Sequence, residues 1–296
     1  MAALLLLAAL MLPSALAAVD CDVADSLDTS ELSLLQVSSS LKPKNATDIF
    51  MRYMPSHSFV VCACAKCGST ALWHYLYAQE FGRRYEWTDA PYVHEVTSNR
   101  WKGRFVHVKK LAEQERIMRD EFSFALVRDP KERLISAWKT KYACSGMDTK
   151  EQQLNVAHLL LLAGWNTNQD CLSLEQFAGA LVQVHAVGKE DLLDRYLLPQ
   201  NLGCFKDFSP AEFSRVARFD ELSAFIPLPK GLNKTDIARA QDQTSIDDVV
   251  VTAVVHAMLD KVTQDEYAAL DGFLPKESAV KEGKPVLQIK DSWLGR

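Results

Sequence analysis

The sequence contains no internal repeat, no linker between residues 58 and 275, and no overall excess of positive charge. The first two absences exclude a repeat array and argue against two separate domains, so the 296-residue chain is expected to form one domain of about 250 residues. The 33 Lys and Arg residues are outnumbered by 38 Asp and Glu residues, which gives a net charge of −5. This balance argues against a nucleic-acid partner.

The sequence also lacks the residues that would complete a zinc site around its crowded cysteines. Cys62, Cys64 and Cys67 are accompanied by no second C-x-x-C and no histidine pair with metal-ligand spacing. Cys64 and Cys67 form a C-x-x-C after a predicted strand, so a secreted oxidoreductase is an alternative. In thioredoxin-like sites, however, the first cysteine begins the helix, whereas here the helical pattern begins near Ser69. The favoured interpretation is that the three cysteines are inert or disulfide-linked.

The N-terminus is typical of a secretory leader. Residues 1–18 hold a short apolar run, a Pro-Ser break and small residues placed as a signal peptidase requires. The alternative is an uncleaved signal anchor in a membrane, because residues 2–19 carry no charge and approach the roughly 20 apolar residues of a spanning helix. Pro13, Ser14 and the lack of flanking Lys or Arg favour the leader, which directs the protein to the secretory pathway.

Glycosylation and disulfide signals agree with that compartment. Two sequons, at residues 45–47 and 233–235, predict a glycoprotein. Seven cysteines allow at most three intrachain disulfides. Cys144, Cys171 and Cys204 lie apart in the second half of the chain, and they are better disulfide candidates than the crowded group.

The remaining chain divides into a stem, a folded domain and a tail. Residues 19–57 are acidic and then Ser-rich, which predicts a disordered stem. Residues 58–275 form the domain, and residues 276–296 are a polar tail. Strands are predicted at residues 58–65, 104–108, 122–127 and 215–219. Helices are predicted at residues 70–81, 111–118 and 131–142 and within residues 246–271. A further helix is predicted to begin after the N-cap Ser173, with Gln176 as its capping-box partner. This alternation predicts an α/β fold of three layers, a central parallel sheet flanked by helices, with a mainly helical C-terminal part.

The first motif that carries chemistry reads Lys66-Cys67-Gly68-Ser69-Thr70. An anion held where a strand runs into a helix meets unpaired backbone N–H groups and the positive end of the helix dipole. The motif adds a cation, a glycine that allows close approach of the backbone, and two hydroxyl groups. It lacks the first glycine of G-x-x-x-x-G-K-[ST], and its Lys precedes the glycine, so the loop is P-loop-like but a poor match to an ATP or GTP site.

The second motif spans residues 122–142. Arg128 stands at the carboxyl end of a predicted strand, Pro130 suits a first helical turn, and Ser136 follows about two turns later. Arg128 and Ser136 could therefore face one ligand; the alternative is a plain helix start and a small packing residue. Residues 66–141 hold 15 Lys and Arg against 10 Asp and Glu, which predicts a local positive site despite the net negative charge.

Together the two motifs resemble those of the Golgi carbohydrate sulfotransferases that use 3′-phosphoadenosine 5′-phosphosulfate (PAPS), the group of chondroitin, HNK-1 and uronyl 2-O-sulfotransferases. That family shows K-x-G-[ST]-[ST] and R-D-P-x-x-R-L-x-S-A-[WY], and the similarity extends over about residues 58–225. The family also shows D-x-H-x-x-P-Q, where this chain has Tyr196 in place of the histidine. The resemblance implies a P-loop-like fold and a PAPS-dependent transferase in the Golgi lumen or Golgi membrane, with secretion as the alternative.

The resemblance also implies roles for individual residues. Lys66 would neutralise charge on the departing phosphate, and the loop Cys67-Gly68-Ser69-Thr70 would hold the 5′-phosphate. Arg128 and Ser136 would hold the 3′-phosphate. The acceptor would be a carbohydrate hydroxyl, and no metal would be required because the transferred group carries its own activation.

His107 is the preferred general base for the acceptor hydroxyl. It ends a predicted strand 21 residues before Arg128, a placement similar to that of the proposed catalytic histidine in uronyl 2-O-sulfotransferases. A histidine pKa near 6.5 leaves the imidazole mostly neutral in a near-neutral lumen. His74 and the pair His94-Glu95 are the alternative candidates for the general base. The alternative function, from a class other than enzymes, is that of a catalytically silent glycan- or nucleotide-binding protein.

Overall fold

The structure is a computed structural model that describes residues 51–83, 85, 104–108, 110–144, 150–218, 221, 246 and 248–274. The chain divides into residues 1–42 and residues 43–296, and every described residue belongs to the second unit. The predicted leader, both sequons, His94, Glu95 and the tail lie outside the described residues. Within the described residues no helix is both long and apolar enough to cross a bilayer.

A five-stranded sheet forms the centre of the described fold, in the order β3-β1-β2-β4-β5. Strands β2, β4 and β5 are parallel, whereas β1 is antiparallel to both of its neighbours. The strands are β1 Met51–Met54, β2 Phe59–Ala63, β3 Val106–His107, β4 Phe122–Val127 and β5 Arg215–Arg218. All five residues of β2 are buried, as expected for a central parallel strand covered on both faces. The predicted α/β fold with a central parallel sheet is confirmed, with β1 as the one antiparallel strand of the described sheet.

Six α-helices accompany the sheet in the described residues. They are α1 Ser69–Phe81, α2 Leu111–Asp120, α3 Pro130–Lys141, α4 Lys150–Leu162, α5 Leu174–Ala186 and α6 Ala253–Ala269. Helix α1 ends at Gly82, whose φ of 64° is left-handed and suits a glycine C-cap. Helix α5 begins with the capping box predicted for Ser173 and Gln176.

The buried apolar side chains form two clusters. One cluster joins the sheet to α1 and α2, with Val61, Leu72 and Ile117 among its members. The other is built from α3 to α6, with Phe177 and Leu259 fully buried in it. The second cluster confirms the predicted helical character of the C-terminal part.

The folded domain begins earlier in the chain than the sequence predicts. The sequence places residues 51–57 in the disordered stem, but β1 pairs with β2 from Met51–Cys62 to Met54–Phe59. Strand β1 has only four residues, includes Arg52, and is followed by a Pro55–His57 turn, so its local pattern is weak. Its burial depends on pairing with β2 and β3. The sheet therefore begins at Met51 rather than near residue 58.

All three favoured disulfide candidates, Cys144, Cys171 and Cys204, are in disulfides, as predicted. The crowded cysteines are disulfide-linked as well, in the pairs Cys62–Cys204 and Cys64–Cys67, so the preference for the three distant cysteines over the crowded group was wrong. Cys62 lies in β2, and the tertiary fold brings Cys204 to it across a separation of 142 residues. Sequence spacing alone does not reveal such a long-range approach.

Candidate functional site

The loop between β2 and α1 is shaped for an anion. Lys66 and Gly68 both have left-handed backbones, with φ of 66° and 91°. Gly68 is the N-cap of α1, and it has no side chain that could accept hydrogen bonds from the first-turn N–H groups. These N–H groups and the positive end of the helix dipole suit a negatively charged group near Ser69 and Thr70.

The Cys64–Cys67 disulfide joins residues before and after Lys66 and so closes this loop. Inside the turn, the Cys67 backbone N–H donates to the Cys64 carbonyl over 3.3 Å. The Cys67 side chain is 1% exposed and is committed to the disulfide, so the backbone is what Cys67 can offer a ligand. The cross-link restrains the residues that hold Lys66 in its left-handed conformation.

Arg128 follows β4 at the same edge of the sheet. Because β2 and β4 are parallel and adjacent, their carboxyl ends meet there. The Arg128 guanidinium donates to the Lys66 carbonyl over 3.2 Å and also contacts Glu132, with 3.4 Å between Nε and Oε2. Burial lowers the pKa of Arg128, and Glu132 opposes that effect. The structure thus brings together Lys66 and Arg128, which are 62 residues apart in sequence.

Lys66 lies in an excess of positive charge. Burial, and then repulsion from Lys141 and Arg128, lowers the pKa of Lys66 to about 8. Glu151 is the carboxylate that opposes this shift. A bound anion would relieve the repulsion, which is the electrostatic behaviour expected of an anion site.

Tyr196 lies among three cations, Lys66, Lys141 and Arg195. The distance from its ring centroid is 5.6 Å to Lys66 Nζ, 4.8 Å to Lys141 Nζ and 4.8 Å to Arg195 Cζ. Its hydroxyl donates to Glu151 over 3.0 Å and accepts from Arg195 over 2.7 Å. In the sequence, Tyr196 is recognisable only as a departure from a family motif, and no pattern identifies its neighbours. Lys141 could have been recognised from the sequence as a candidate site residue, because it lies within the second motif.

Ser136 is fully buried in α3, and its hydroxyl has no hydrogen-bond partner among the described residues. A buried hydroxyl without a partner suits an oxygen of a ligand. The alternative interpretation, a small packing residue, predicts the same burial. The phosphate-binding role of Ser136 therefore stays a prediction.

The second arginine of the same motif, Arg133, has a structural partner. Arg133 is 1% exposed, and its Nε and Nη2 donate to the Glu266 carboxylate of α6 over 3.1 and 3.0 Å. Its Nη1 donates to the Tyr196 carbonyl over 3.2 Å. Arg133 thereby joins the motif to the last helix and to the segment of Tyr196. No sequence signal pointed to Glu266.

The structure places the His107 backbone two strands away from β2. Strand register places the His107 backbone opposite Arg52, which is itself opposite Val61 of β2. Two strand spacings separate His107 from β2, about 10 Å across the sheet. The His107 side chain lies outside the described residues, so its role as base stays a prediction.

His74, a reserve candidate, packs as an aromatic residue on α1. Its ring meets Tyr85 edge to face, with 5.0 Å between the ring centroids. This contact favours the packing interpretation. Among the described residues, no group of three or more His, Cys, Asp or Glu side chains is placed to hold a metal ion.

A sequence model of the sulfotransferase family matches residues 51–227, more than half of the chain. The chain belongs to the sulfotransferase family. No curated protein sequence and no solved structure matches this sulfotransferase. The match begins at the first residue of β1, in agreement with the start of the sheet. It includes the Lys66 loop and Arg128 and ends before α6.

Proposed function

We propose that this sulfotransferase transfers the sulfuryl group of PAPS to a hydroxyl group of a carbohydrate. The observation that carries the proposal is the hydrogen bond of 3.2 Å from the Arg128 guanidinium to the Lys66 carbonyl, next to the uncapped start of α1. PAPS has anionic groups at both its 5′ and 3′ positions, and two cationic segments meet at this edge of the sheet. The fully buried Ser136 hydroxyl offers a further donor.

Each segment would hold one end of the nucleotide. The backbone N–H groups of the loop, with Ser69, Thr70 and the Lys66 ammonium group, would bind the 5′ end. Arg128 and Ser136 would bind the 3′-phosphate. PAPS supplies an already activated sulfuryl group, so the demands on the protein are positioning and charge stabilisation.

Lys66 is the residue proposed to stabilise the transition state. With a pKa of about 8, its amine is mostly protonated at neutral pH. Its partial burial strengthens its interaction with negative charge that develops beside it, because the surroundings screen less than bulk water. His107 is proposed to accept the proton of the acceptor hydroxyl.

The carbohydrate acceptor and the compartment rest on sequence features. The K-x-G-[ST]-[ST] and R-D-P-x-x-R motifs resemble those of Golgi carbohydrate sulfotransferases, and the N-terminus is typical of a leader. We therefore place the activity in the Golgi lumen or at the Golgi membrane, with secretion as the alternative. The C-x-x-C oxidoreductase is disfavoured because Cys64 and Cys67 are only 2% and 1% exposed, whereas reactive cysteines are partly exposed.

The thermal stability of the purified protein with 3′,5′-ADP and with 5′-ADP tests the nucleotide site. A ligand that binds the native state raises the melting temperature, so we expect the larger increase with 3′,5′-ADP. Equal increases, or none, would contradict the 3′-phosphate site. Transfer of labelled sulfate from PAPS to a panel of glycans then separates an enzyme from a catalytically silent binding protein.

A further inference from the structure

The side chain of Gln200 takes the place of a neighbouring strand at the end of β4. Strand pairing of β4 ends at Leu126 on the β2 side and at Val127 on the β5 side. At the next residue, the Arg128 N–H donates to Gln200 Oε1 over 3.1 Å, and the Arg128 carbonyl accepts from Gln200 Nε2 over 2.8 Å. These bonds fix the Arg128 backbone, and with it the direction of the Arg128 side chain.

Glu266 determines which way the Gln200 amide faces. Its Oε1 accepts from Gln200 Nε2 over 2.8 Å and from the Gln200 backbone N–H over 3.0 Å. An ionised carboxylate only accepts hydrogen bonds, so the amide must turn its NH₂ group to Glu266 and its oxygen to the Arg128 N–H. Gln200 and Glu266 are 0% and 2% exposed, and Arg133 pairs with the buried charge of Glu266.

The same amide oxygen of Gln200 contacts the loop between β2 and α1. Gln200 Oε1 is 3.5 Å from Cys64 Sγ and 3.2 Å from Cys67 Sγ. The loop between β2 and α1 therefore meets the end of β4 in two ways, through the packing of Gln200 against the disulfide and through the hydrogen bond from Arg128 to the Lys66 carbonyl. A displaced Gln200 would change the spacing between the two cationic segments.

We infer that Gln200 is a positioning residue of the nucleotide site and that Glu266 holds it in place; this inference rests on the proposed function. Gln200 sets the Arg128 backbone for the 3′-phosphate and rests on the disulfide-closed loop. Helix α6, which lies beyond the family match, thereby contributes to the site through Glu266.

Calorimetric titration of 3′,5′-ADP and of 5′-AMP tests the inference, because the ratio of their affinities isolates the 3′-phosphate. Gln200→Met removes the amide at similar volume. We expect the preference for 3′,5′-ADP to fall by at least about tenfold, since two buried hydrogen bonds to Arg128 are lost. The affinity for 5′-AMP should change little. Glu266→Gln should lower the same ratio by a smaller factor.

Gln114→Met is the matched control. Gln114 is likewise buried, at 2% exposed, and its Nε2 donates to the Val108 carbonyl over 2.8 Å, on the α2 side of the fold. We expect a smaller loss of thermal stability than in Gln200→Met, because one side-chain hydrogen bond is lost rather than three, and an unchanged nucleotide ratio. A merely structural role for Gln200 predicts an unchanged ratio in both variants.

The outcomes separate the inference from the proposed function. An unchanged ratio in Gln200→Met, together with lost preference in Arg128→Ala, overturns the inference and leaves the proposed function standing. No preference for 3′,5′-ADP in the wild type overturns the proposed function.

If Gln200→Met does not fold, the rate of hydrogen exchange at the Arg128 N–H of the wild type tests the inference instead. Slow exchange of the Arg128 N–H supports the inference, and fast exchange overturns it.

Discussion

Lys66 and Arg128 differ from the exposed cations of the molecule because they are largely withdrawn from solvent and meet at one edge of the sheet. We expect Lys66→Ala and Arg128→Ala each to lower sulfate transfer by more than about 100-fold, the usual effect of removing a preorganised charge. Labelled sulfate transfer and thermal melts measure activity and folding. Arg119→Ala, on a side chain that is 74% exposed, is the control and should leave both unchanged. Wild-type transfer at low PAPS in either site variant would reject the assignment.

The lowered pKa of Lys66 predicts a pH dependence of nucleotide binding. Below about pH 8 the ammonium group is charged in the free protein, and affinity for 3′,5′-ADP should be nearly constant. Above this pH the free amine loses its proton, so affinity should fall by up to about tenfold per pH unit, since binding then requires proton uptake. The phosphates, with a second pKa near 6, are already ionised there. Titration calorimetry from pH 7 to pH 9.5 measures the change.

Lys66→Arg is the control for this pH dependence, because arginine stays charged throughout the range. The fall in affinity above about pH 8 should disappear in this variant. A fall that persists would assign the titration to another group.

Single residues were predictable where their motif is contiguous. Lys66 and Arg128 each follow a recognisable strand, so the rule for carboxyl ends of parallel strands brings them together. Gln200 ends the segment that resembles the family pattern D-x-H-x-x-P-Q, but its contacts with Arg128 and Glu266 cross 72 and 66 residues, and no local pattern encodes them.

At the scale of elements, the N-cap of α3 couples helix stability to the site. Asp129 accepts from the Glu132 N–H over 3.0 Å and from the Tyr267 hydroxyl of α6 over 2.6 Å. We expect Asp129→Ala to lower stability by about 1–2 kcal/mol through the lost cap. It should also weaken binding of 3′,5′-ADP, because α3 begins directly after Arg128.

Ser173→Ala removes the N-cap of α5 and is the control for Asp129→Ala. It should lower stability by about 1 kcal/mol and leave nucleotide affinity unchanged. Denaturant unfolding and calorimetry measure the two quantities. Equal losses of affinity in both variants would show that binding follows stability alone.

Helices and buried strands were the predictable elements. The apolar run of β4 and the capping box of α5 carry their signals locally, and the structure has both. Strand β1 was missed because four residues with a polar centre show no period, and its pairing partners lie downstream. Edge and near-edge strands of this kind are defined by tertiary contacts.

At the scale of the whole molecule, disulfides tie together distant parts of the chain. Cys62–Cys204 spans 142 residues and anchors the segment after Gln200 to β2, whereas Cys144–Cys171 spans 27 residues. The seven cysteines set an upper limit of three bridges, and the described residues contain three. It did not predict the longest one, because a separation of this size is closed only by the completed fold.

The difference in span predicts a difference in stability between two double variants. In the loop-closure model, losing the longer bridge frees more unfolded-state entropy, by about 1.5 kcal/mol at 25 °C. Cys62 and Cys204 are also buried, so Cys62→Ala/Cys204→Ala loses packing in addition. We therefore expect its free energy of unfolding to lie at least about 1.5 kcal/mol below that of Cys144→Ala/Cys171→Ala, measured by guanidinium denaturation. Equal stabilities would mean that the unfolded chain is already compact around the longer bridge, so that its removal releases little entropy.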